Sequence, residues 1–381
     1  MKNNKPVNEF YINNNNSNNT NNIEINVPLQ ERIKRCNEDF HKVSKIIKKS
    51  DNKLKKMEVL YKNINNNFYR YLKKKDTPSK YAYVTIIFCD SKYISSILVA
   101  GNYLKNIIKT KYDLVCLVQD KAYYEVDISG ESYLKFPGLT NNEIDDIKKI
   151  YDIVIGIDLL RVNIPERSEW DLLPRYMKLP YYSTKIMVLG LIEYSKLIYF
   201  DSTSLIYQNI DYLFDKYDKS TYRLDYSETL YGLKRGLVGN FYMFIPKLYY
   251  VYKGIDILNN YQSIFGNRIT CFTKDEDIIF YSIYPHWNDK LLDPNLFKVN
   301  HIRMPYIEIS KKKEYQYSVE LYMGLKPFLY PNDDYIVERD MYNNDNNCYY
   351  QWDLCAKNLL IYYPLFKKYF EFIKTFRYVE F

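Results

Sequence analysis

From Tyr81 to Phe200 apolar runs of strand length alternate with stretches of helical spacing. Ala82–Asp90 (AYVTIIFCD) is a β-rich run that ends on a carboxylate. Ile94–Ile108 then places its apolar residues three and four apart, the period of a helix with one buried face. Asp113–Val118 predicts a second strand, Glu143–Tyr151 a helix and Ile153–Ile157 a third strand. A helix over Ser183–Tyr194 feeds a short buried strand, Leu197–Phe200. Further on, Gly239–Ile245 predicts an aromatic strand and Asp275–Tyr284 a helix. Strands separated by helices argue for an α/β domain, a mainly parallel sheet flanked by helices on both faces.

The texture differs at the two ends. Residues 1–28 form an Asn-rich tail, with eleven asparagines in the first 22 positions. Such a segment has too little apolar surface to offset chain entropy, so disorder is expected. Residues 29–79 are a basic extension. Ile33, Cys36, Phe40, Val43 and Ile47, then Leu54, Met57, Leu60, Ile64, Phe68 and Tyr71 recur mostly at three- and four-residue steps. An amphipathic helical segment is expected over 29–75, packed on the domain or paired with a second copy. The main domain is expected over 80–331. After it an Asn/Asp-rich loop leads to a C-terminal aromatic helix over Gln351–Thr375, giving a last segment of 332–381 that packs on the domain. No internal repeat is evident.

Charge and composition narrow the classes. The 381-residue chain has 47% hydrophobic and 17% aromatic residues, enough for a substantial core. Its net charge of +8 is concentrated at the N-terminus, where residues 1–79 carry 17 Lys and Arg against 8 Asp and Glu. The rest is near neutral, which gives no reason to expect a nucleic-acid partner. The six cysteines show no C-x-x-C pairing, which fits reduced thiols in a cytoplasmic setting. The three histidines, His41, His286 and His301, have no ligand spacing, so a zinc site is not expected. No apolar run reaches the roughly 18 residues of a membrane span, and the polar N-terminus does not read as a signal peptide.

The chemistry concentrates in Lys185–Asp215. There LIYF runs straight into Asp201, and a polar turn follows. A carboxylate at the carboxyl end of a buried strand stands where α/β folds bind ligands. It is costly to bury unless cations or donors reach it. The alternative is a strand-end Asp that only caps the next turn. Thr184–Lys185, Tyr194–Lys196, Asp201–Thr203 and Asn209–Phe214 keep the order of a longer pattern: TK in a helix, YSK, a run of four mostly apolar residues, D-x-D, then N-I-D-x-L-F. In this the segment resembles the sugar-nucleotide site of the glycogenin-like (family 8) glycosyltransferases.

That resemblance extends over about residues 81–375 and implies a GT-A, Rossmann-like fold and a retaining hexosyltransferase. It would move a hexose, most simply glucose, from a UDP-sugar to an acceptor hydroxyl on a glycan, protein or polyol. Ala82–Asn102 resembles the family's first strand and turn, which implies donor contacts at Thr85, Asp90 and Tyr93, with the Tyr93 ring on the base. Lys185 would bind and orient the donor, and Ser202 would line the donor site. Asp201 and Thr203 would hold a divalent metal, Mn or Mg. Asp275, in DEDII, falls at the position that reaches the transferred sugar and acceptor; an acidic helix start is the alternative reading. Gly324 and Lys326, in VELYMGLKPF, would hold the diphosphate.

Three departures matter. The second carboxylate of D-x-D is Thr203, Glu320 or Leu321 stands where the family has a metal-binding His, and the N-S-G strand reads Val238-Gly239-Asn240. A weakened metal site is therefore expected. The alternative function is a catalytically degenerate fold that grips a glycan or a partner.

Overall fold

Four strands that end at Ile87, Gln119, Ile157 and Phe200 lie side by side and parallel in the computed structural model. The structure describes residues 68–126, 130–161, 179–229, 232–259, 279, 282–283, 292–293, 296–300, 318–322 and 348–370. β1 is Arg70–Lys73, β2 Tyr81–Ile87, β3 Asp113–Gln119, β6 Ile153–Ile157 and β7 Lys196–Phe200. β10 (Gly232–Phe244) and β9 (Thr221–Thr229) complete a seven-stranded sheet in the order β1-β6-β3-β2-β7-β10-β9. The centre is parallel, and β1, β10 and β9 run antiparallel to their neighbours. All residues of β2, β3 and β6 are buried, as expected of parallel strands covered on both faces.

Alternation along β2 splits the core into two layers. Tyr83 and Ile87 face the layer that holds Cys116, Val118, Ile97 and Trp352, while Ala82, Val84 and Ile86 face the one that holds Val115, Leu117, Ile186 and Tyr199. The first layer is covered by α1 (Ile94–Asn102), α2 (Asn141–Ile150) and α6 (Cys348–Tyr362). The second is covered by the 3-10 helix Ser183–Gly190 and by α5 (Leu248–Asn259). A small sheet, β11 (Phe297–Asn300), β12 (Val319–Tyr322) and β8 (Ser204–Ile206), continues from the end of β7. A hairpin of β4 (Tyr123–Val126) and β5 (Ser132–Phe136) projects beyond β3. Of the shorter helices, α3 is Leu179–Tyr182 and α4 Leu213–Lys216.

The α/β class and the four parallel strands agree with the sequence pattern; several details differ. The helical periodicity continued to residue 75, but Arg70–Lys73 is an edge strand on β6, so the sheet begins before residue 80. Arg70 is fixed there by Asp120, with Nε to Oδ2 at 3.0 Å, and by Asp158 at 2.9 Å. The Ile94–Ile108 helix is α only to Asn102. It closes with a π turn, and Lys109 follows in the left-handed region at φ 55°. The helix expected over Ser183–Tyr194 is a 3-10 helix that ends at Gly190. Its start is anchored sideways: Ser183 Oγ donates to Leu160 O at 3.1 Å, and Thr184 Oγ1 accepts from Leu160 N at 2.9 Å. The C-terminal helix stops at Tyr362, because Pro364 lacks the N–H that would continue it. The expected Asn-rich tail and almost all of the basic extension lie outside the described residues.

Candidate functional site

Asp201 leaves the carboxyl end of β7 with its backbone N–H donated to Asn240 O on β10 at 2.8 Å. The chain then turns through Ser202 and Thr203, and Ser204 N closes onto Asp201 O at 2.9 Å. Only 7% of Asp201 is exposed, so its charge needs partners. It has five. Oδ1 accepts from Ser202 Oγ at 3.2 Å, Thr203 N at 3.1 Å and Thr203 Oγ1 at 3.0 Å. Oδ2 accepts from Tyr199 OH at 3.0 Å and pairs with Lys185 Nζ at 2.8 Å. Thr203 Oγ1 in turn accepts from Asn240 Nδ2 at 3.0 Å. Ser96 Oγ, on α1, donates to Ser202 O and ties the turn to the opposite layer.

These elements converge for local reasons. Tyr199 and Asp201 are two apart on one strand and so share a face. That face is the second layer, where the 3-10 helix carries Lys185 beneath the strand end. Beyond the turn, β8 pairs with β12 in the register Leu205 to Glu320 and Ser204 to Leu321. The backbone of Glu320 and Leu321 thus pairs with the strand that follows the Asp201 turn. The Glu320 side chain lies outside the described residues, as do Asp275, Gly324 and Lys326.

The end of β2 supplies the other side. Cys89 is left-handed at φ 62°, and its N–H is held by Gln119 Oε1 at 2.9 Å. The turn delivers Asp90, which caps a 3-10 helix by accepting from Lys92 N at 3.1 Å. Tyr93 closes that short helix and is partly buried. Its hydroxyl pKa is pushed up, first by burial and then by Tyr182, Asp201 and Asp90, while Lys185 pulls it down. The Tyr93 hydroxyl is therefore within electrostatic reach of the Lys185–Asp201 pair. Thr85 is elsewhere: it is fully buried inside β2, on the face that packs under α1, and its hydroxyl has no partner.

Several residues of the sequence pattern serve the frame. Tyr194 OH donates to Asp113 Oδ2 at 3.1 Å. Lys196 Nζ donates to the Phe214 and Tyr217 carbonyls, both at 2.6 Å, and closes the last turn of α4. Asp211 accepts from Tyr83 OH at 2.8 Å and Thr110 Oγ1 at 2.7 Å. Phe214 stacks on Tyr81 at 4.9 Å. Sequence reasoning missed Tyr199, Asn240 and Ser96 as site residues. The two-residue step from Asp201 was a signal for Tyr199, and the altered N-S-G strand was one for Asn240.

A divalent ion takes six or more oxygens, most of them carboxylate, carbonyl or water. Here Asp201 already accepts five bonds, and the Thr203 oxygen gives its hydrogen to Asp201 while accepting from Asn240. Among the described residues no group of three or more His, Cys, Asp or Glu is placed to hold a metal ion. The expected ligand pair Asp201 and Thr203 does not fit one in this arrangement. Nor, among those residues, is any helix long and apolar enough to cross a membrane.

No family model matches the chain. Protein R707 of Acanthamoeba polyphaga mimivirus is 35% identical over 136 residues, and the match covers 36% of this chain and 40% of that protein. The chain thus spans less than half of that relative. Among solved structures it is similar to the galactosyltransferase LgtC in complex with donor and acceptor sugar analogues. That alignment has a TM-score of 0.44 and 12% identity, over 76% of this chain and 99% of LgtC. It is also similar to the WbbM bifunctional glycosyltransferase, with a TM-score of 0.43 and 12% identity over 75% of this chain and 51% of WbbM. For mouse xyloside xylosyltransferase 1 the TM-score is 0.39 and the identity 11%, over 65% of this chain and 98% of that one.

Proposed function

We propose that the chain is a retaining glycosyltransferase of the GT-A, glycogenin-like kind that moves a hexose, most simply glucose, from a UDP-sugar to an acceptor hydroxyl. The observation that carries this reading is the Lys185–Asp201 pair at the carboxyl end of β7, held at 2.8 Å with the Tyr93 hydroxyl in electrostatic reach. The family resemblance assigns these residues, with Asp90, to the donor, and they come from three separate segments of the chain.

In this reading the Tyr93 ring stacks on the uracil and Asp90 fixes the turn that presents it. Asp201 accepts from the ribose, with Ser202 and Thr203 shaping the turn. Lys185 donates to the donor's diphosphate and sugar. Gly324 and Lys326 close on the diphosphate, and Asp275 orients the transferred sugar and acceptor. The bond from the anomeric carbon to the β-phosphate oxygen breaks, and a bond to the acceptor oxygen forms on the same face. The acceptor proton passes to the departing phosphate oxygen. The protein's part is position and charge.

Thr203 favours a second reading, a degenerate binding module, because a neutral oxygen stands where the family has a carboxylate. Calorimetric titration of UDP and UDP-glucose, followed by assay of released UDP, decides between them. The transferase reading expects nucleotide binding and slow donor hydrolysis; absence of both, with and without Mn²⁺, supports the binding module.

A further inference from the structure

We propose that Lys185 supplies the positive charge that a divalent metal supplies elsewhere, so that this chain binds its nucleotide sugar without a metal. The inference rests on the transferase reading and concerns the same site.

A D-x-D pair places two carboxylates beside a diphosphate, and a doubly charged cation offsets both. This chain has one carboxylate, Asp201, and a hydroxyl at Thr203. One ammonium offsets one carboxylate. Lys185 sits at 2.8 Å from Asp201 Oδ2, with side-chain exposures of 13% and 10%, so the offset is already in place within the protein.

Geometry closes the alternative. To ligate a metal through Oδ2, Asp201 has to give up Lys185 or Tyr199. To ligate through Oδ1 it has to enter an oxygen already shared by Ser202 and both groups of Thr203, displacing at least one of them. Thr203 Oγ1 is likewise engaged by Asn240 at 3.0 Å. A metal gains one carboxylate here at the cost of several short bonds, whereas an ammonium fits the bonds as they stand. Lysine is suited to the role because its compact charge sits on a flexible stem and bonds phosphate as readily as carboxylate.

The full chain is titrated with UDP and UDP-glucose in EDTA and again in Mn²⁺. Equal affinities, within about threefold, are expected. Binding that appears only with Mn²⁺ leaves the transferase reading intact and overturns this inference. No nucleotide binding in either buffer overturns the transferase reading itself, and this inference with it. Lys185→Ala is expected to cut UDP affinity in EDTA more than about tenfold, since a bond to a charged group is lost, with Lys185→Arg keeping most of it. A second measurement does not depend on how well those variants fold. Free Mn²⁺ is followed by electron paramagnetic resonance with protein and no nucleotide. The native chain is expected to take up none, and Thr203→Asp, which restores the second carboxylate, is expected to take up the ion. Stoichiometric uptake by the native chain overturns the inference.

Discussion

Lys185 Nζ reaches Asp201 Oδ2 at 2.8 Å from a different element, a 3-10 helix beneath the strand end, and the two charges are almost wholly out of water. Such a pair is weak evidence for stability as a whole, but removing one partner strands the other. Asp201→Asn keeps the shape and deletes the charge, leaving the Lys185 ammonium buried. The expected loss is about 3 kcal/mol in urea unfolding, together with the loss of UDP binding. A native unfolding midpoint in the variant contradicts the stabilising role.

Tyr93 provides a different test, because its proposed work is done by the ring. Tyr93→Phe keeps the flat face, and UDP affinity is expected to stay within about threefold. Tyr93→Ala removes it, with an expected weakening of about tenfold, the size of one lost aromatic stack. Should both variants bind like the native chain, the uracil rests elsewhere.

How far these residues could be seen in advance follows from the range of the forces that place them. β2, β3, β6 and β7 were legible because each is buried on both faces and so reads as an unbroken apolar run. Asp201 was legible as the carboxylate ending such a run, and Lys185 and Tyr93 by their place in a longer pattern. The strand at Arg70–Lys73 was not legible, since four residues, none of them fully buried, fit a helix edge equally well. What makes it a strand is the distant fork of Arg70 on Asp120 and Asp158. Asn240 escaped for the same reason. Its bond to Thr203 exists only because β10 pairs antiparallel with β7, which no local signal announces. The β4–β5 hairpin is held through Glu125, which accepts from Tyr133 at 2.8 Å and from Tyr181 and pairs with Lys135 at 3.3 Å. Those partners too are settled only by tertiary structure.

The Arg70 fork itself makes a prediction. A Cβ at Gly156 runs into the Asp120 carboxylate, the same group that Arg70 holds. Gly156→Ala therefore has to displace the pair that pins β1. An expected cost of about 2 kcal/mol is typical of overpacking. Combined with Arg70→Leu the two losses are expected to fall short of additive, because both act on one carboxylate. Strict additivity in a double-mutant cycle argues that β1 is held by its backbone pairing alone.

Acid provides the last test, and its sign follows from three carboxylates other than Asp201. Burial alone pushes the Asp113, Glu125 and Asp146 carboxyls up, but their partners outweigh it and hold all three below the usual range. For Asp113 the partners are Lys75 at 2.5 Å, Ser79 N and Oγ at 2.7 Å each, and Tyr194 OH. For Asp146 they are Lys149 and Lys368, both at 2.6 Å, and Tyr369 OH at 2.8 Å. In the unfolded chain these groups titrate near about pH 4. Each is lowered on folding, so its contribution is fully present above that value and is lost as the pH falls through the folded one. Urea midpoints are expected to be flat from neutrality to about pH 5 and to decline steeply below about pH 4. Asp113→Asn lowers the neutral midpoint, since Lys75 and Ser79 lose their charged acceptor, and it makes the acid decline shallower by removing one proton-binding group. A decline as steep in the variant as in the native chain means that Asp113 does not couple folding to pH.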